Sequence, residues 1–318
     1  MDGARQGRRG RSPKTRGPAP FRSLIVPLDL SQDAARIVER VSLLPLAESA
    51  RICLAHVLPA GLPARAAGSA AADARRALAA SARKLERASR QRAIEIVVRT
   101  GSAAAEIART ADAVRADLVV IGRGRGGAVR DFFLGSTTER VVRQARRPAL
   151  VVRRVASAPY GRPLAALDAD AMAHDVVAEL LRIVPRPRPR ISLVHAYTGP
   201  LSHLVYPSLP PSSAAEYRHR GRQEAMRELT RRLAAAASAA DTAPSEDDVA
   251  WRWYLRFGSA RAIIPRIVAR THADLLAIGT HAHGAVARVF LGTVAGDVLR
   301  DVPCDVLVVP PRGDPSLG

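Results

Sequence analysis

Leu118-Val-Val-Ile-Gly122, running on to Gly135-Ser136, and Leu275-Leu-Ala-Ile-Gly279, running on to Gly292-Thr293, decide the fold of this chain. Each stretch is a short apolar run, then a glycine, then a basic loop that closes on Phe-Leu-Gly followed by Ser or Thr. Thirteen positions separate the two glycines in both copies (135−122 and 292−279). The chain is therefore a tandem repeat, and its fold has to be argued as two copies of one unit.

The repeat extends upstream of the loops. Gly101-Ser102 answers to Gly258-Ser259 at the same offset of 157 as the loop glycines. Leu28-Asp29 answers to Leu167-Asp168 and His56 to His195, both at an offset of 139. The difference, 157−139 = 18, is an insertion in the second copy between its second and third strands. The Pro/Ser-rich stretch 198–213 is its expected site. Its Leu, Val and Tyr content is too apolar for a free loop, and either packing on its own domain or a lid over the second site would account for it.

At 318 residues the chain is long enough for two ordinary domains, each with its own core. No apolar run approaches the roughly 20 residues that cross a bilayer, and the basic N-terminus lacks the apolar segment of a secretory signal. Cys53 and Cys304 stand singly in different halves, as buried, reduced thiols of a cytoplasmic protein would. The formal charge of +20 is the compositional outlier. Arg5, Arg8, Arg9, Arg11, Lys14 and Arg16 supply part of it from a Gly- and Pro-containing tail without apolar periodicity, expected to be disordered. The rest is spread and almost all arginine. A GC-rich coding sequence and an anion-binding surface both account for that.

Apolar runs at 24–29, 52–57, 94–98, 118–121 and 149–152 read as strands, with helical patterns between them. Ala35, Ile37, Val38 and Val41 mark the core face of the first helix, and the Ala/Arg-rich segment 62–92 reads as one long helix with a basic outer face. Ser102 is expected to cap a third helix. The second copy repeats the pattern at 164–167, 191–196, 251–256, 275–278 and 306–309. Nearly continuous apolar strands alternating with helices indicate a parallel sheet covered on both faces. The fold class is thus α/β: two tandem five-stranded, doubly wound domains at 21–154 and 163–311, with a linker at 155–162 and tails at 1–20 and 312–318.

The motifs V-P-L-D at 26–29, L-A-H-V at 54–57, D-L-V-V-I-G at 117–122, F-L-G-S at 133–136 and R-P-A-L-V-V at 147–152 resemble the universal stress protein family. So do A-L-D at 166–168, L-V-H-A at 193–196, D-L-L-A-I-G-T-H at 274–281, F-L-G-T at 290–293 and C-D-V-L-V-V at 304–309. Any one is weak; their order and matched spacing in both copies carry the resemblance, which covers nearly everything from 21 to 310. It implies a flavodoxin-like sheet whose members commonly dimerise through strand five. Here the two fifth strands would pair within one chain. It also implies a stress-response role, and in one subset of the family ATP, with Mg, bound through a G-x2-G-x9-G-(S/T) loop.

The physical logic of that loop is a phosphate cradle. Glycine after a parallel strand lets backbone N–H groups approach phosphate oxygens, and the closing Gly-Ser opens a helix whose unpaired N–H groups favour an anion. By resemblance, Pro27, Asp29 and Val57 would frame the adenosine, and Gly122, Gly135, Ser136 and Thr137 would hold phosphates. The second-copy counterparts are Asp168, Gly279, Gly292 and Thr293. Both copies depart from the pattern at the second glycine, where Arg125 and Ala282 stand. Arg125 is itself a phosphate partner by chemistry, and the N-terminal half is the favoured site.

Each of these residues also has a purely structural role open to it. Ser136-Thr-Thr-Glu139 has the spacing of a capping box, Asp29 and Asp168 could close turns, and His56 and His195 in apolar strands suit hydrogen-bonded core imidazoles. His281-Ala-His283 offers two ligands without a third, too few for a metal. With no P-loop lysine and no evident general base, the expectation is a binding protein without fast catalysis that passes its state to an unidentified protein partner, slow ATP turnover or autophosphorylation at Ser136 or Thr137 staying open. A scaffold that binds no nucleotide is the alternative. Nucleic-acid association through the tail is a lesser one, with a salt slope of about −5 if all six cations engaged phosphates.

Overall fold

The computed structural model describes residues 19–31, 33–88, 93–124, 136–168, 172–198, 209–239, 249–280 and 293–311. In the first half β1 (Phe21–Pro27), β2 (Leu46–Leu58), β3 (Ala93–Thr100), β4 (Leu118–Gly122) and β5 (Ala149–Val152) alternate with α1 (Ala34–Ser42), α2 (Ala64–Ala88), α3 (Ala103–Ala113) and α4 (Ser136–Gln144). The second half repeats this with β6 (Pro163–Ala166), β7 (Ile191–Tyr197), β8 (Trp251–Phe257), β9 (Leu275–Gly279) and β10 (Asp305–Val309). Its helices are α5 (Met172–Ile183), α6 (Pro211–Ala239), α7 (Ala260–Thr271) and α8 (Thr293–Asp301).

The ten strands form one sheet in the order β3-β2-β1-β4-β5-β10-β9-β6-β7-β8. Within each half every pairing is parallel; at the centre β5 and β10 run antiparallel, with Val151 opposite Val306 and Ala149 opposite Val308. The two fifth strands therefore meet as the resemblance implies. Their eight central positions from Ala149 to Val152 and from Val306 to Val309 are fully apolar and buried, so each half seals the edge of the other.

Two apolar layers sandwich the sheet, and each runs through both halves. On one face Ile37 of α1, Leu78 of α2, Leu180 of α5 and Leu229 of α6 belong to a single cluster. On the other, Ile107 of α3, Val141 of α4, Ile264 of α7 and Val298 of α8 do the same. In helix α1, Ile37, Val38 and Val41 are buried as expected, but Ala35 is exposed and Ala34 takes its place, because Ala34 is the residue that keeps three- and four-residue spacing with Ile37 and Val38.

Several elements differ from expectation. Strand β2 begins at Leu46, not 52, because its early residues Glu48, Ser49 and Arg51 lie at the exposed end and break the apolar run. Helix α2 begins at Ala64, not 62, and of Ala64–Ala88 only Ala74, Leu78, Ala82 and Leu85 are buried; the expected 89–92 lie outside the described residues. Ser102 sits at the N-cap of α3 but makes no side-chain cap bond. Pro211 opens α6, so positions 211–213 of the expected insertion are the first turn of a helix; 199–208 lie outside the described residues. The lid, the basic tail and His281-Ala-His283 also lie outside them.

The linker, expected only as a break, is bound at both ends. Asp305, fully buried at the start of β10, accepts hydrogen bonds from the backbone N–H groups of Arg153 (2.7 Å) and Arg154 (2.9 Å), from the Tyr160 hydroxyl (2.7 Å) and from Arg40 Nε (3.1 Å). Arg40, on α1 of the other half, also stacks over the Tyr160 ring at 3.9 Å and donates to Ala158 O. A second arginine crosses in the opposite direction. Arg182 of α5 lies 3.7 Å over the Phe21 ring, pairs with Asp117 at 3.0 Å and donates to Ala19 O.

Candidate functional site

In the first half β1 continues to β2 on one side of the sheet's midline, whereas β4 continues to β5 on the other. The carboxyl ends of β1 and β4 therefore mark the switch point of the strand order, the place where doubly wound sheets leave a crevice. A cavity of about 280 Å³ opens there. Pro27 and Asp29 after β1, Val57 of β2, and Gly122 of β4 line it, and Thr137 and Thr138 of α4 close one wall. Its volume is at the lower end of the roughly 300–1,000 Å³ of small-molecule sites.

Local structure explains several of these positions without a ligand. Asp29 Oδ1 accepts from the Ser31 N–H at 3.0 Å and from its hydroxyl at 2.6 Å, so the carboxylate closes a turn in which Leu30 takes φ +60°. Gly122 keeps an ordinary φ; a Cβ there would stand 3.1 Å from Ile37 Cδ1, so a side chain would require the Ile37 tip of α1 to give way. Gly279 has the same relation to α5, with Met172 Cε at 3.2 Å and Val176 Cγ2 at 3.3 Å. The buried Thr138 hydroxyl donates to Gly122 O at 2.9 Å and ties the start of α4 to the end of β4. His56 Nδ1 lies 2.7 Å from Leu28 O, and His195 Nδ1 lies 2.9 Å from Leu167 O. Both imidazoles are thus anchors of the loop after the first strand of their half.

Of the residues expected at the site, Pro27, Asp29, Val57, Gly122 and Thr137 come together in one cavity wall. Ser136 begins α4, and Thr293 begins α8. Glu139, the far end of the expected capping box, is engaged by Arg143 at 2.6 Å. Arg125, Gly135 and Gly292 lie outside the described residues. In the second half Asp168 follows β6 at the position equivalent to Asp29, and Gly279 ends β9.

Sequence reasoning missed Asp33, Arg36 and Ile37 as part of the wall. Arg36 pairs with Asp33 at 3.0 Å and donates through Nη1 to Arg153 O at 3.1 Å, while its buried Nε has no acceptor. The available signal was helical spacing. Asp33 and Arg36 stand one turn apart at the start of α1, where the first-strand loop must turn over the crevice. Among the described residues no group of three or more His, Cys, Asp or Glu could hold a metal ion by itself, and no helix is long and apolar enough to cross a membrane.

A parallel sheet covered on both faces, doubled in one chain, with a crevice at the switch point of its first half, defines a tandem flavodoxin-like α/β protein. Its repeats match one family model twice, that of the universal stress protein family, over residues 20–153 and 159–310. The chain belongs to that family. A putative universal stress protein of Staphylococcus epidermidis is 50% identical over 56 residues, 17% of this chain and 34% of the relative. The chain thus spans about a third of the length of such relatives. Among solved structures, a universal stress protein from Archaeoglobus fulgidus superposes with a TM-score of 0.66 at 16% identity, covering 91% of this chain and 98% of that one. A putative universal stress protein from Pseudomonas aeruginosa gives 0.56 at 19% identity, covering 92% and 94%. These likenesses are of fold.

Proposed function

We propose that the N-terminal half binds an adenine nucleotide, ATP with Mg²⁺, and that the protein acts as a cytoplasmic stress-state sensor through that occupancy. The observation that carries it is the single cavity joining Pro27, Asp29 and Val57 to Gly122 and Thr137. The nucleoside lies against the first group. The phosphates extend towards the start of α4, where the N–H groups of a helix N-terminus favour an anion. Arg36 supplies a buried donor without an acceptor in the same wall, and Arg123 adds a second cation. The Mg²⁺ arrives on the phosphates, as that ion usually does. The buried free thiols Cys53 and Cys304 suit a reducing compartment.

Binding, not turnover, is the output. The imidazole in the wall, His56, is committed through Nδ1 to a backbone carbonyl, and the Asp29 carboxylate holds its own turn. Arg125 and Ala282 in place of the second loop glycine favour a second reading, an interaction scaffold without nucleotide.

The test is to denature the purified protein, identify released nucleotide by chromatography, and titrate Mg-ATP calorimetrically. Wild type should bind about one equivalent. Ala103→Phe, which narrows the cavity, and Gly135→Val, in the loop, should each bind none while keeping their circular dichroism. No released nucleotide and no heat with millimolar Mg-ATP would leave the scaffold reading in its place.

A further inference from the structure

A second cavity, of about 450 Å³, opens away from the switch point, under the outer strand β3 between β2 and the C-terminal end of α3. Cys53 and Val97 contribute apolar surface, and Arg51, Arg99 and Arg115 stand around it against one acid, Glu95. Burial pushes the Cys53 thiol up to about 12, so that surface is uncharged and offers no thiolate.

The other half of the molecule shows what this space can hold. The repeat offset of 157 carries Val97 to Tyr254, Glu95 to Arg252, Arg99 to Arg256 and Ala113 to Arg270. Structure supports the equivalence twice. Val97 pairs with Ala55 in β2 as Tyr254 pairs with Val194 in β7, positions that correspond at the offset of 139. Arg115 and His272, also 157 apart, both take a left-handed conformation, φ +48° and +49°. In the second half the Tyr254 ring is buried in this place. The guanidinium carbons of Arg252, Arg256 and Arg270 surround it at 5.8, 5.8 and 5.9 Å from its centre. An aromatic ring among arginines is thus the occupant that the second half builds into itself, by packing and cation–π attraction. The first half keeps the space and one of the three arginines, Arg99 for Arg256. Glu95 and Ala113 stand for Arg252 and Arg270, Arg51 and Arg115 bring cations from other positions, and valine stands where the ring would start.

We propose that this groove is a second small-molecule site, separate from the switch-point cavity, that takes a planar aromatic carboxylate. The ring fills the space that Tyr254 fills in the other half. The carboxylate offsets the excess of guanidinium around the groove, for which Arg is the suited partner. A neutral aromatic would gain the ring contacts alone. A small carboxylate without a ring would leave the apolar floor uncovered.

The probe is 2-naphthoate, titrated into the full chain and followed by its fluorescence. One saturable site per chain is expected, with 2-naphthalenemethanol at least about tenfold weaker, the order of one charge-assisted hydrogen bond. Val97→Tyr, which installs the second half's own occupant, should abolish binding. Arg51→Ala with Arg99→Ala, both exposed, should weaken it by tenfold or more at unchanged circular dichroism, and this pair decides should Val97→Tyr not fold. Saturating Mg-ATP should leave the naphthoate isotherm unmoved, whether or not ATP itself binds. Absence of saturable binding, affinity unchanged in the arginine double variant, or displacement by Mg-ATP would each overturn the proposal.

Discussion

Asp305→Ala should be the most damaging single substitution at the junction of the two halves. Asp305 is fully buried and receives four donors, two of them backbone N–H groups, one the Tyr160 hydroxyl and one the Arg40 guanidinium. Removing it leaves the Arg40 charge, whose side chain is 5% exposed, without its counter-ion. Breaking a buried pair from one side costs roughly 3–5 kcal/mol, and the orphaned donors keep the cost at the upper end. For a protein of this size that lowers the melting temperature by roughly 10 °C. Arg40→Met should cost less, because Asp305 keeps three of its donors. Tyr160→Phe should cost least, about 1–3 kcal/mol for one hydrogen bond to a charged acceptor. The assay is urea denaturation of the full chain followed by circular dichroism and Trp251/Trp253 fluorescence. A cost below about 1 kcal/mol for Asp305→Ala, or Tyr160→Phe as damaging as Asp305→Ala, would refute the assignment of Asp305 as the acceptor that holds the junction.

Alkali should destabilise the protein from about pH 9 upwards. Burial pushes the thiols of both Cys53 and Cys304 from 9.0 up to about 12, and burial with the neighbouring Asp305 raises Tyr160 well above 10.0. Above pH 9 the unfolded chain releases protons that the folded chain retains. Stability is therefore whole below pH 9 and falls as pH rises towards 12, by up to about 1.4 kcal/mol per pH unit for each group. Cys304→Ala should make the melting temperature's decline between pH 9 and 11 shallower, and an unchanged slope would count against the linkage. Gly258→Ala should destabilise by about 1–2 kcal/mol, because Gly258 holds φ +129° and its Cβ would stand 3.3 Å from Ile263 Cδ1. Thermal melts should show it more damaging than Gly161→Ala, where the nearest atom is 3.8 Å away.

Much of the fold was legible because it is written twice. A strand such as β9 is short and ambiguous alone, but its equivalence to β4 at a fixed offset, loop glycines included, removes the ambiguity. The pairing of β5 with β10 came from the family resemblance, and the unbroken apolar runs 149–152 and 306–309 agree with it. What escaped notice is what the copies do not share. Asp305 stands where the first copy has Pro148, at the offset of 157, and Arg40 interrupts the apolar face of α1 between Val38 and Val41. Nothing in the sequence joins the two, because only the pairing of the halves brings them together. In the cavity, Pro27, Asp29, Val57, Gly122 and Thr137 were named from motif order. Arg36 was not, since its role depends on how α1 sits over the crevice. Gly122 and Gly279 show the limit of motif reading: close packing of a helix on the strand favours a small residue at both, independently of any ligand.

The antiparallel seam between β5 and β10 also fixes the molecule's arithmetic. Two separate chains joined through such a seam would part on dilution and could exchange partners. Two halves on one backbone do neither, since the tether sets their local concentration regardless of how much protein is present. Each particle therefore carries one of each half in constant ratio. That frees the copies to drift apart, one able to keep an open groove beside Val97 while its twin plugs the same place with Tyr254.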